Sequence, residues 1–298
     1  MKHLLLFITA LIILNSGRAQ DTVLIKTDSV TAVIHSNSLK TSGNIPVKQA
    51  NYFPSPYKTS WLKDGLITAG AVGGTFIGYE LLENKRGLTP DELAAKTKDK
   101  LPFFDRGNAG YYSASLDKTS YILFDADYAF PVLMAFLDRN EHSRLGQVLG
   151  IYFETVAITG SMYTLAAGLV YRSRPLVYGT IAPLDRRMSR ISQRSFYGGH
   201  VATTAALTFF TAKVFQDFNP DSKLRPWLWA GAAGLSALMG YMRYESGFHF
   251  LSDCVISFAI GAATGILIPQ WHKSKLSKKI TLVPSAGNQA GLGLAWHL

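Results

Sequence analysis

His249 and Asp253 stand four residues apart in the run "YESGFHFLSD" (244–253), and Arg243 immediately precedes it. On a helix such a pair shares a face, so the carboxylate can accept a hydrogen bond from one imidazole nitrogen, fix the tautomer and free the other nitrogen to attack. Arg243, in the turn before the helix, could reach whatever the histidine attacks. A purely structural His–Asp pair is one alternative. A metal site is another, but no Cys or His cluster adds ligands at a familiar spacing, so none is expected.

Two other stretches concentrate polar groups beside apolar segments. In "YRSRPLVYG" (171–179), Arg172 and Arg174 lie on a turn that Pro175 helps to end, and two guanidinium forks there can converge on one tetraoxyanion. The competing reading is a pair of arginines snorkelling at a membrane edge. In "RSFYGGHVATTAA" (194–206), Gly198, Gly199 and His200 open a helix, where backbone N–H groups and the helix dipole favour an anion. Gly-Gly before a helix is more often only a turn. Together the three places hold what phosphoryl transfer through a covalent histidine needs: guanidiniums for the equatorial oxygens, a nucleophile, and an acid for the leaving group.

These groups must be positioned by long apolar segments at roughly 62–82, 119–137, 145–171, 200–216, 226–242 and 250–271. Their length and Ala, Leu and Gly content predict an all-α bundle of about six helices, embedded in or associated with a membrane. Several segments are near the lower length limit for a span. Asp125 and Asp127 interrupt the second and Glu154 the third, so those carboxylates must face a bundle interior if the segments cross a bilayer. A soluble exported bundle is the rival reading.

The flanks differ in texture. Residues 1–20, "MKHLLLFITALIILNSGRAQ", have the basic, apolar and small-residue order of a secretory signal peptide with cleavage near Ala19 or Gln20. Residues 21–60 form a polar exported segment, irregular or β-like, with no assigned chemistry. The helical domain is expected over 61–272 and a basic, then β-like tail over 273–298. If the first helix is peripheral and five segments span, the lysines of "HKSKLSKK" (272–279) fall on the cytoplasmic side and the site on the extracytoplasmic side of the cell membrane, as the positive-inside rule prefers. Thirty Lys and Arg against twenty Asp and Glu give a net charge of +10, which points to an anionic partner without choosing among nucleic acid, membrane and phosphorylated substrate. The single cysteine, Cys254, excludes an intrachain disulfide.

In order and spacing the three stretches resemble the type 2 phosphatidic acid phosphatase superfamily, which also includes vanadium haloperoxidases and bacterial acid phosphatases. The resemblance covers about residues 110–272. Its motifs, Lys-x6-Arg-Pro, Pro-Ser-Gly-His and Ser-Arg-x5-His-x3-Asp, align with Arg174-Pro175, with Tyr197-Gly198-Gly199-His200, and with Met242-Arg243, His249 and Asp253. The resemblance implies that His249 is the nucleophile, Asp253 its orienter and His200 the general acid. It further implies that Arg174 and Arg243 clamp the phosphate, helped by the backbone of Gly198 and Gly199.

The family lysine falls on Ala167 and two family serines fall on Gly198 and Met242, so the motifs are degenerate and one cation and two hydroxyls are missing. Arg172, Arg186, Arg187, Arg190 and Arg194 are spare cations, and Arg172 is the expected replacement from its proximity. The expected function is a metal- and cofactor-independent phosphatase acting on a phosphomonoester or diphosphate, first of all a lipid phosphate at a membrane, with nucleic acid not a partner. The alternatives are a soluble exported (periplasmic) acid phosphatase, a non-catalytic phosphate-binding or structural membrane protein and, more weakly, vanadate-dependent halide oxidation.

Overall fold

In the computed structural model the described residues are 55–273, together with the backbone of 280–285 and 291–296. The signal-peptide and polar-segment readings, and most of the basic tail, lie outside them. Six principal helices make up the body: α1 Trp61–Glu83, α2 Ala114–Leu137, α3 Leu145–Leu169, α4 Gly199–Phe218, α5 Arg225–Glu245 and α6 Leu251–His272. Each corresponds to one predicted segment; α2 starts earlier than its apolar run because Ser113 caps it by accepting from the Leu116 N–H at 3.3 Å. The tail forms an antiparallel hairpin, β1 Ile280–Ser285 with β2 Gly291–Trp296, in register from Ile280 opposite Trp296 to Ser285 opposite Gly291.

α4 is the central helix, buried along almost its whole length. Leu207, Phe210 and Val214 pack there against Val148, Ile151 and Tyr152 of α3 and Ile268 of α6. α6 approaches α4 closely through Gly261 and Gly265; a Cβ on Gly265 would stand 2.8 Å from the Phe210 nitrogen. This is the small-residue packing that lets helix backbones meet. α1 meets α3 in the same way, since a Cβ on Gly78 would stand 2.6 Å from the Leu165 nitrogen.

The polarity of this bundle is reversed relative to a soluble one. Leu62, Leu66, Phe76 and Ile77 of α1, Ile122, Leu133 and Phe136 of α2, and Val255 and Leu267 of α6 are exposed, while Asp127 and Glu154 are buried. Thr204 of α4 donates to Asp127. Asp125, by contrast, faces outward. Outward apolar faces around an interior that shelters its carboxylates are what a bilayer demands. Among the described residues four helices, α1, α2, α3 and α6, are long and apolar enough to cross one. α1 is therefore as able to span as the others, and nothing in its composition makes it peripheral.

Candidate active site

The turn between α5 and α6 carries Phe248 and His249, and its shape depends on Gly247. That residue has φ +77°, and a side chain there would run into the Tyr111 carbonyl. Asn108, buried in the loop before α2, donates from its amide to the carbonyls of Tyr244 at 2.8 Å and His249 at 2.9 Å, holding both ends of the turn. Asp253, three residues into α6, accepts the Phe250 N–H at 3.0 Å and so caps its own helix. The start of α6 and the position of His249 are thereby fixed together.

His249 is almost fully buried, and its Nδ1 lies 2.7 Å from the Ser195 carbonyl oxygen. A carbonyl can only accept, so Nδ1 carries the proton and Nε2 carries the lone pair. Burial, with Arg174 and Arg243 close by, holds the imidazole well below its usual pKa, so it is neutral at pH 7. This corrects the expected His249–Asp253 hydrogen bond. Asp253 Oδ2 instead accepts from the Ser195 hydroxyl at 2.6 Å, so the carboxylate secures the residue whose carbonyl orients the imidazole. The tautomer is the expected one, reached one residue further away.

Arg174 and Arg243 flank the same ring: their guanidiniums lie 4.6 and 4.4 Å from the Phe248 centroid. Arg243 is additionally tied to Asp117 at 2.6 Å and Ser120 at 2.8 Å, both on α2. Arg174 is buried with its Nε unpartnered, and burial with the adjacent Arg243 brings it down to about 10, still charged at neutral pH. His200, in the first turn of α4, packs against Tyr121 and Phe124, and its Nε2 is buried without a partner. The electrostatic field of both arginines reaches both imidazoles. His249, His200, Arg174 and Arg243 are thus brought together from four separate segments.

Two expected phosphate contacts are placed differently. Arg172 bonds to Asp253 and, at 2.5 Å, to Asp105, with Ser252 between them. Two buried carboxylates need a counter-charge, and Arg172 supplies it, so it is not a spare cation for the missing lysine. The Gly198 N–H donates to Ser257 Oγ at 2.7 Å and is likewise occupied. Gly198 abuts the nucleophile candidate instead: a Cβ there would stand 3.3 Å from the His249 ring. α4 begins at Gly199 with no side-chain cap, which leaves first-turn N–H groups of that helix for an anion.

Several of these residues lay beyond sequence reasoning. Ser195 sits inside the quoted Gly-Gly-His stretch but offers its backbone, which no side-chain pattern reveals. Phe248 adjoins His249 and reads as core. Asp105, Asn108 and Asp117 come from a loop and a helix start without any motif.

The fold is a helical bundle of membrane type in which two buried arginines and two histidines meet where one loop and three helix ends come together. Residues 148–277 match the model of the PAP2 superfamily. Among solved structures it is similar to Aquifex aeolicus LpxE, with 19% identity over 59% of this chain and 99% of that one and a TM-score of 0.40. It is also similar to the first transmembrane PAP2 type phosphatidylglycerolphosphate phosphatase from Bacillus subtilis, with 17% identity over 71% and 92% and a TM-score of 0.33. No curated protein matches the chain.

Proposed function

We propose that the protein is a membrane phosphatase that hydrolyses a phosphomonoester or diphosphate, in the first place of a lipid, through a phosphohistidine at His249. The observation that carries this reading is the buried, neutral imidazole with Nδ1 held by Ser195 and Nε2 free, in the field of Arg174 and Arg243. Nε2 attacks phosphorus, the bond to the leaving oxygen breaks, and His200, protonated once the bound phosphate offsets the burial and the field of Arg243 and Arg174 that otherwise disfavour its imidazolium, gives that oxygen a proton. Water, deprotonated by His200, then attacks the phosphohistidine, releasing phosphate and regenerating the neutral imidazole. The guanidiniums and the first-turn N–H groups of α4 stabilise the equatorial oxygens, a task that metal ions perform in other phosphoryl-transfer sites, so the reaction is metal-independent.

Arg186, rather than Arg172, takes the place of the missing lysine. Its guanidinium is exposed and lies 5.8 Å from the Phe248 centroid, on the ring that Arg174 and Arg243 share. Arg190 and Arg194 are paired with Glu83, which excludes them. The exposed apolar faces of α1, α2 and α6 favour a lipid substrate over a soluble one. If α6 spans, its first residue adjoins His249 and its last precedes the tail lysines, so a cytoplasmic tail puts the site on the extracytoplasmic side.

One observation favours a second reading, a phosphate binder without turnover: Gly198 and buried Ala167 stand where the resembling family has a serine and a lysine. Phosphate release from a lipid phosphate, a polyprenyl diphosphate and an aryl phosphate by purified protein in detergent separates the two. Turnover that disappears in His249→Ala supports the phosphatase; saturable phosphate or vanadate binding without turnover supports the binder.

A further inference from the structure

At the far end of α6 from His249, a second group of titratable side chains converges from three helices. They are Asp64 in the first turn of α1, Glu154 on α3 and His272, the last residue of α6, and one ligand atom from each lies within 4.8 Å of the others. His272 Nε2 is 2.9 Å from Glu154 Oε2, and Nδ1 is 3.8 Å from Asp64 Oδ2. The segment before α1 runs alongside: the Lys58 N–H donates to the His272 carbonyl at 2.7 Å, and the Lys58 carbonyl comes within 3.3 Å of Nδ1. The three side chains border a cavity of about 170 Å³ that opens to the exterior. At roughly 1.5 Å per residue, the 22 residues of α6 separate this group from His249 by about 30 Å.

Charge makes this arrangement informative. Glu154 is buried on a helix apolar enough to span a bilayer, and a buried carboxylate there requires a counter-charge. Of the nearby ammonium groups, Lys273 and Lys213 bond to Asp217, while Lys58 and Lys63 border the cavity without forming an ion pair with Asp64 or Glu154. With a neutral imidazole the group carries two negative charges, which one divalent cation neutralises. One imidazole with two carboxylates is a donor set that suits zinc and its neighbours, whereas calcium and magnesium prefer oxygen alone.

We infer that Asp64, Glu154 and His272 form a zinc-type divalent cation site that clamps α1 to α3 and α6 at the end of the bundle remote from the phosphate pocket. On binding, ligand atoms that now lie within 4.8 Å of one another adjust to about 3.3 Å, the separation of ligands roughly 2.0–2.1 Å from one tetrahedral ion: the 2.9 Å His272–Glu154 contact opens slightly and Asp64 moves in. The ion takes the place of the proton between His272 Nε2 and Glu154, with Asp64 as the third ligand, while Nδ1 keeps its proton towards the Lys58 carbonyl. The site is structural and does not depend on the phosphatase reading.

The test uses the full-length, untagged protein in detergent, stripped with a chelator, with Zn²⁺ itself as the probe. The expected result is saturable uptake of a single equivalent by calorimetry and a rise in Tm. Asp64→Asn and His272→Gln should each weaken binding by at least about tenfold. Asp64→Asn is the safer variant, because 3.8 Å is no hydrogen bond to His272 and the asparagine oxygen can still cap Ser60. His249→Ala should bind Zn²⁺ as the parent does, and Ca²⁺ should leave Tm unchanged. The inference is overturned by a lack of saturable binding, by unchanged affinity in both site variants, by loss of binding in His249→Ala, or by an equal response to Ca²⁺.

Discussion

The two ends of α6 hold a histidine each and treat it in opposite ways. His249 stands among guanidiniums, with a carbonyl on one nitrogen and its charge suppressed; His272 stands between two carboxylates. Asp117 pairs with Arg243 but, among the described residues, no carboxylate pairs with Arg174, and on the proposed reading this net cationic charge makes the first end a receptor for an oxyanion. Two carboxylates around one imidazole are what lead us to infer a cation site at the second. On the two proposals the charge of its neighbours would set up the same side chain as nucleophile or as ligand, and burial sharpens the contrast because either excess is expensive in an apolar interior.

The sharpest way to break this contrast is to remove the nucleophile: His249→Ala should lower phosphate release by at least about a thousandfold, with the fold retained by circular dichroism. Next come the clamps. Arg174→Ala or Arg243→Ala should each cost on the order of a hundred- to a thousandfold in kcat, and Arg243→Ala should also destabilise the protein because it strands Asp117. His200→Ala should cost on the order of a hundredfold on an alkyl phosphate and markedly less on an aryl phosphate, whose leaving group needs no proton. Arg186→Gln should cost about tenfold, and Arg172→Gln should show itself first as a lower Tm, since it leaves Asp105 and Asp253 buried together. At the other end a chelator should lower Tm while leaving kcat unchanged, a result that would separate the two ends in one sample.

The smallest effect is the pH dependence of stability. Folded His249 has its pKa held well below the ordinary imidazole value, so the unfolded chain takes up a proton first. Its contribution is complete above about pH 6.5, the unfolded value, and is lost as pH falls from there towards the folded value. Tm measured from pH 7.5 to 5 should therefore fall less steeply in His249→Gln than in the parent.

The helices were legible because each apolar run is long, and the end of each is marked by a change in texture. The spacing of Arg243, His249 and Asp253 was legible because a helix and the turn before it keep neighbours in sequence close in space. Arg172 was misread for the converse reason: Asp105, which with Asp253 engages it, comes from a loop sixty-seven residues away. The partner of His249 was hidden in a backbone carbonyl. Glu154 stood out only as an interruption in an apolar run, and its neighbours Asp64 and His272 are too distant in sequence for any spacing rule to join them.

The central claim is that the guanidinium-walled end of α6 turns over a phosphoester through His249. It is tested most directly by phosphate release from purified protein in detergent, using a lipid phosphate, a polyprenyl diphosphate and an aryl phosphate, with His249→Ala measured beside it. The account predicts release by the parent, with preference for a lipid substrate, and none by the variant. Equal release by the variant, or no release by the parent from any of the three, would contradict it.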